Sequence, residues 1–267
     1  MQATTWAELA GLGDGLHRLR WQGQPAILKR RQQAPEDFFA AERRGLALLA
    51  SAQALPTPTV LALGADAILL QDLGRGRATA GDWRTAGRRL AIQHRQHADR
   101  FGWQFNGWCG DSPQSNQLDT DGHRFFADQR LLPQLQRATS AGRLQRGDVA
   151  AIERITSSLP QWIPLQPASL LHGDLWLGNL HASANGELAL IDGGAAHYGW
   201  AEAELAMLCL FGEPPADFFA SYQEQAGIDH RWRQRAPLYN LYHLLNHLNL
   251  FGVGYLRAVR EVLVRFA

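Results

Sequence analysis

Apolar positions in the first part of this chain alternate. After a helical turn in "TTWAELA", the runs "GLGDGLHRLRW" and "QPAILKR" read as two strands joined at Gln22-Gly23-Gln24. The period then lengthens. In "APEDFFAAERRGLALLASA", Phe39, Leu46 and Leu49 form one helical stripe, with Pro35 at the start and Glu36 and Asp37 in the first turn. Glu42 falls on that same core-facing stripe, so it either snorkels at the edge or meets a cation, and Lys29 on the preceding strand is the candidate. Two more strands follow in "PTPTVLAL" and "AILLQDLGRGRA". From Asp82 the pattern turns helical, with Trp83, Ala86, Leu90 and His94 at helical spacing through "DWRTAGRRLAIQHRQHADRF". The loop "NGWCGDSPQSN", helices near 121–141 and 146–158, a hairpin and four closing helical stretches complete the chain.

This order predicts an α+β fold of two lobes. A small antiparallel-sheet lobe spans 1–73, a larger, mainly helical lobe spans 74–267, and the joint lies near Gln71–Gly76.

The hairpin carries the chemistry. "NLHASANGELALID" is two alternating runs around Asn185-Gly186. A two-residue turn there pairs Ala184 with Glu187 and, carried outward, sets Asn179 opposite Asp192. Asp174 lies five residues before Asn179, on the loop that enters the hairpin. Such oxygen ligands suit Mg²⁺, which takes few protein ligands and fills its shell with phosphates and water. An acid, an Asn five residues on and a second acid after a hairpin follow the phosphoryl-transfer template, with "HGD" where protein kinases carry H-R-D and "PAILK" where they carry V-A-I-K. In that reading Asp174 handles the proton of the attacking hydroxyl, and Asn179 and Asp192 hold Mg²⁺ on ATP. Lys29, oriented by Glu42, contacts the α- and β-phosphates, and adenine meets backbone groups near Gln71 and Leu73. Gly13 and Gly15 let the backbone approach a phosphate, or simply make a turn.

Beyond a generic kinase, "LLHGDLWLGN", "AELAMLCLFGEPPADFFASY" and "PLYNLYHLLNHLNLFGVGYL" resemble the fructosamine/ketosamine 3-kinase family, of the superfamily that includes aminoglycoside and choline phosphotransferases. The resemblance spans essentially the whole chain. It implies an ATP- and Mg²⁺-dependent kinase of ketoamines, free or protein-bound, with protein deglycation as the consequence. Three departures stand out: the thin glycine loop with its Asp14, "IDGGAA" in place of the family's IDPA, and Glu204 in place of an Asp. These keep a nucleotide-binding pseudokinase open as an alternative, alongside a kinase of another small molecule. On the acceptor side, Trp176, Trp103, His243, Asn246 and His247 are candidates to meet a sugar or amine. The two histidines equally suit hydrogen bonding to the catalytic loop, and the tryptophans core packing.

Composition changes little. Lys+Arg (26) nearly balance Asp+Glu (25), so no nucleic-acid or membrane-surface partner is expected, and 46% hydrophobic residues suffice for a core. Cys109 and Cys209, far apart, suggest apolar fillers in a reducing, cytoplasmic setting. A monomer is expected. Lys29 is the only lysine among the 26 basic residues, so the position where a phosphate contact is expected is also the one that kept an ammonium.

Overall fold

The computed structural model describes residues 2–267. Its first lobe is a five-stranded sheet. The strands are β1 (Gln2–Ala3), β2 (Gly15–Trp21), β3 (Gln24–Arg30), β4 (Val60–Leu63) and β5 (Ala67–Gln71), in the order β1-β2-β3-β5-β4. β2 and β3 form the expected tight hairpin. Trp21 pairs with Gln24, and Gln22 and Gly23 both take positive φ (49° and 83°), as a primed turn requires. Helix α1 (Phe38–Ser51) buries Phe39, Leu46 and Leu49 as its periodicity predicts. It begins three residues after Pro35. Asp37 ahead of it is left-handed (φ 68°), and its carboxylate binds Arg44 rather than capping the helix.

The second lobe opens with α2 (Ala80–His94). The helical pattern reaches 101 in sequence, but the chain leaves the helix after His94 because His97–Ala98 (β6) is needed as an edge strand. A ribbon of β7 (Gly107–Cys109) and β8 (Ser112–Gln114) precedes α3 (Gly122–Phe126), α4 (Leu132–Ser140) and α5 (Arg146–Trp162). α3 and α4 are joined through one π-helical stretch, Ala127–Leu131, so the predicted 121–141 helix is continuous but locally widened. Then come β9 (Ala168–Leu171), the ribbon β10 (Leu180–Ala182) and β11 (Leu188–Leu190), and β12 (His197–Gly199). The chain closes with α6 (Ala201–Leu208), α7 (Ala216–Ala226), α8 (Trp232–Phe251) and α9 (Leu256–Phe266). β9 is the centre of a small β12-β9-β6 sheet, and its four residues are all buried. Among the described residues, no helix is long and apolar enough to cross a membrane.

Glycines set how closely the two lobes meet. A Cβ on Gly45 of α1 would fall 1.8 Å from the Gly193 carbonyl oxygen, and one on Gly107 of β7 would fall 2.4 Å from that of Gly194. The "DGG" stretch is therefore clamped, backbone to backbone, between α1 and β7. The extra glycine of "IDGGAA" makes a close-packed joint here, not a loose one.

Candidate active site

The site grows from the end of β9. Past Leu171 the chain enters His172-Gly173-Asp174, with Gly173 at φ 83° against the Ala195 carbonyl. The buried carboxylate of Glu204, on α6, accepts the backbone N–H groups of His172 (3.0 Å) and Gly173 (2.7 Å) and lies 3.1 Å from His94 Nε2. Burial alone would raise the Glu204 carboxyl, but the hydrogen bond and charge of His94, together with His172, hold it below the usual carboxylate range. The longer side chain at 204 is thus what spans two orphan amides. His172 is fully buried. It donates from Nε2 to the Ile191 carbonyl (2.7 Å) and accepts the Asp174 N–H at Nδ1 (3.3 Å). It braces the loop. Asp174 itself is pushed up, chiefly by burial.

The hairpin corrects the expected register by one residue. Leu180 faces Leu190 and Ala182 faces Leu188, so Asn179 lies across from Ile191, whose N–H its backbone carbonyl accepts at 3.1 Å, and not from Asp192. The loop has three residues, not two. Ser183 and Glu187 close it, Gly186 takes φ 89°, and Asn185 Oδ1 accepts from the Glu187 N–H and the Ser183 hydroxyl. Asn-Gly fills the end of a longer turn. The slip does not separate the acceptors, because Asp192 is left-handed (φ 61°) and swings back to line one cavity with Asn179 and Asp174. Asn179 Nδ2 donates to the Asp174 carbonyl (2.8 Å), which commits its nitrogen and leaves Oδ1 as the atom fit for a cation.

Lys29 completes this wall. Its ammonium is 2.5 Å from Glu42 Oε1 and in direct contact with Asp192 Oδ1. Glu42 is buried, as its place on the helical stripe requires, while the Asp192 side chain is 47% exposed and open to the cavity. Two carboxylates around one ammonium leave a net negative charge, with Asn179 Oδ1 beside it. This oxygen-rich, under-neutralised set fits a hard dication.

A second cavity shares Gly110, Asp174 and Trp176 with the first and is lined further by Cys109, Phe211, Asn246, His247, Phe251 and Tyr255. His247 stacks flat on Phe211 (ring centroids 4.9 Å apart, planes 2° apart). Asp174 is its only acidic lining residue. His243 sits behind Asp174 rather than on the cavity surface, Nδ1 3.8 Å from a carboxylate oxygen. Burial, with His247 and Arg130, pushes its pKa down to about 3, so the contact is not an ion pair.

The other expected residues scatter. Trp103 lines neither cavity; its ring packs edge-on against Phe105, and its backbone N–H donates to the Asn116 carbonyl. Trp108 lines the first cavity instead, close to Phe38. Gly13 and Gly15 stand outside both cavities, just before and at the start of β2, where Gly15 pairs with Arg30 at the end of β3. Asp14 accepts the Gln32 N–H (2.7 Å), so its charge is spent on the turn after β3. Gln71 ends β5, and the Leu73 carbonyl accepts from the Ala184 N–H (2.8 Å), which ties the joint to the hairpin loop. Sequence reading missed the loop-capping role of Glu204, for which a carboxylate inside the apolar run "AELAMLCL" was the available signal. It also missed Phe211, Phe251 and Tyr255, which no motif marks.

Comparison with known proteins agrees with this geometry. Residues 10–266 match the profile of the fructosamine kinase family. A probable ketoamine kinase from Synechocystis is 35% identical over 245 residues, covering 90% of this chain and 82% of the relative. A chloroplastic protein-ribulosamine 3-kinase from rice is 31% identical over 85% of this chain and 68% of its own. A Thermobifida fusca crystal structure, provisionally named fructosamine-3-kinase, superposes with a TM-score of 0.84 at 33% identity, covering 91% of this chain and 85% of that one. The bilobal kinase-like fold is shared further, with an aminoglycoside phosphotransferase bound to gentamicin at a TM-score of 0.58 and 16% identity. With the family profile running nearly end to end and the curated relatives covered over most of their length, this chain is a member of the fructosamine kinase family.

Proposed function

We propose that this chain transfers the γ-phosphoryl group of ATP to a sugar hydroxyl of a ketoamine. The observation that supports it best is the place of Asp174 on the wall shared by two unlike cavities, one charged and oxygen-lined, the other aromatic. In the reaction the acceptor O–H gives its proton to the Asp174 carboxylate. Its oxygen forms a bond to the γ-phosphorus, and the bond from that phosphorus to the β-phosphate oxygen breaks, releasing ADP. Lys29, held by Glu42, neutralises phosphate oxygens. Asn179 Oδ1 and the Asp192 carboxylate are the atoms to hold Mg²⁺, which when bound supplies further neutralisation of the phosphates. Trp176 and His247 face the acceptor, while Asn246, whose amide is spent on Cys109 and Gln134, backs the same cavity.

A polycationic acceptor fits less well, because the second cavity offers no acid besides Asp174. The same reading takes the enzyme as a cytoplasmic monomer, where ATP is at hand. The test is incubation with Mg-ATP and a panel of ribulosamines, erythrulosamines and fructosamines, free and on a carrier protein. Mass spectrometry should find the gain of one phosphoryl group on a ketoamine. Phosphorylation of an aminoglycoside or amino alcohol, with every ketoamine untouched, would overturn the acceptor class; no ATP turnover with any acceptor would overturn the enzyme.

A further inference from the structure

Behind the catalytic acid stands a group of side chains that phosphoryl transfer does not use. Cys109 ends β7, His243 lies in the middle of α8, and Asp174 reaches between them. One ligand atom of each (the thiol sulfur, an imidazole nitrogen and a carboxylate oxygen) lies within 4.8 Å of the other two. His243 Nδ1 is buried with no hydrogen-bond partner and faces the Asp174 oxygen at 3.8 Å. A buried imidazole nitrogen left unpaired is costly unless something takes its lone pair. The sulfur, in turn, is already prepared as an acceptor. Asn246 Nδ2 donates to the Cys109 carbonyl at 3.2 Å and reaches the sulfur at 3.4 Å, and Gln134 Nε2 donates to Asn246 Oδ1 at 3.2 Å, which fixes the amide with its nitrogen toward Cys109. Metal ligands in other proteins are oriented by this kind of outer hydrogen bond.

We propose that Cys109 Sγ, His243 Nδ1 and one Asp174 carboxylate oxygen form a binding site for a zinc-class divalent cation, and that filling it withdraws Asp174 from the acceptor and stops phosphoryl transfer. The donor set is the soft-to-borderline one that zinc prefers and differs from the all-oxygen set proposed for Mg²⁺. At zinc's bond lengths the ligand atoms of a tetrahedral site stand about 3.3–3.8 Å apart. The His243–Asp174 spacing of 3.8 Å is within about half an ångström of the nitrogen–oxygen value, and the sulfur needs at most about 1.3 Å of closure. Charge balances: the thiol releases one proton to solvent, and thiolate plus carboxylate neutralise the dication beside a neutral imidazole. A fourth position is left to water. The binding half stands independently of the proposed reaction; the loss of activity rests on the role of Asp174.

The test titrates the full chain with Zn²⁺ and, separately, Cd²⁺ in the presence of excess Mg²⁺. Expected are one bound ion per chain, release of about one proton by calorimetry in buffers of different ionisation heat, and a cadmium–thiolate charge-transfer band in the ultraviolet. Cys109→Ser should abolish the band, and His243→Gln should weaken affinity at least about tenfold. Cys209→Ser, at the other thiol, should leave both unchanged. Phosphoryl transfer by the parent should fall as the site fills and return on chelation. Displacement of the ion by Mg²⁺, absence of the thiolate band from the parent, or a band lost with Cys209→Ser would overturn the site. Full activity with the band saturated would overturn the shut-off. Because the band and the Mg²⁺ competition are read on the parent protein, the proposal stays testable even if a buried substitution unfolds.

Discussion

The two walls that meet at Asp174 are built on different principles. The charged wall, proposed to meet the phosphates, is held by charge and backbone: Lys29 between Glu42 and Asp192, Asn179 tied to the Asp174 carbonyl, and Glu204 accepting two amides of the loop. The aromatic wall, proposed to meet the acceptor, is held by ring packing, with His247 on Phe211 and Phe251 and Tyr255 beside it. A charged, hydrogen-bonded wall fixes atoms in place, as transfer of a phosphoryl group requires. An aromatic wall offers area with little directional demand and tolerates variation in what it contacts. The contrast predicts an enzyme strict about its nucleotide and broad about its amine.

The largest effect should come where the walls join. Asp174→Asn should lower phosphoryl transfer by about 10³-fold, the range for loss of a general base. Nucleotide binding, followed by thermal shift with ATP, should persist; an equally active Asn variant would break the picture of the shared acid.

Next, on the charged wall, Glu204→Gln leaves one of two buried amides without an acceptor and should cost roughly 1.5–3 kcal/mol by chemical denaturation. Its pH dependence has a defined sign. The Glu204 carboxyl is held low in the folded protein, so its contribution is present above the unfolded carboxyl's pKa and is lost as pH falls through the folded value. The parent should therefore lose stability on acidification more steeply than the Gln variant, and equal slopes would sink the assignment.

Gly45→Ala introduces a methyl against the Gly193 carbonyl and should destabilise by about 1–3 kcal/mol. Because α1 also carries Glu42, kcat should fall with it.

The smallest change should be on the aromatic wall. Phe251→Ala should raise the ketoamine KM about three- to tenfold, the worth of one aromatic contact, and leave the KM for ATP unchanged. A shift in the ATP value instead would erase the distinction between the walls.

Legibility followed the same divide. That the charged wall gathers in one place was readable because its parts lie close in sequence or on strong periodic elements: "HGDLWLGN", the hairpin, and Glu42 on a helical stripe. Where the reading slipped, local turn chemistry decided. Asn185-Gly186 served a three-residue loop, and the pairing moved by one; the observed register sets Leu180 and Ala182 against Leu190 and Leu188, whereas a two-residue turn would have set His181 and Ser183 against those leucines, so the apolar alternation outweighed the Asn-Gly signal. The acceptor wall draws Cys109, Phe211, Phe251 and Tyr255 from three distant segments, so no spacing announces it. Trp103 was a plausible platform by residue type alone, and its packing on Phe105 follows from a loop path that no local pattern encodes.

The bare-backbone contact of Gly45 with Gly193 has a mechanical consequence. Where two main chains touch with no side chain between them, there are no rotamers through which one arrangement can trade for another. The helix that bears Glu42 and the turn that bears Asp192 are therefore fixed to each other, and because Phe39 and Leu46 of the same helix pack on Ile68 and Leu70 of β5, that helix is the piece through which the sheet and the Asp192 turn are held at one spacing.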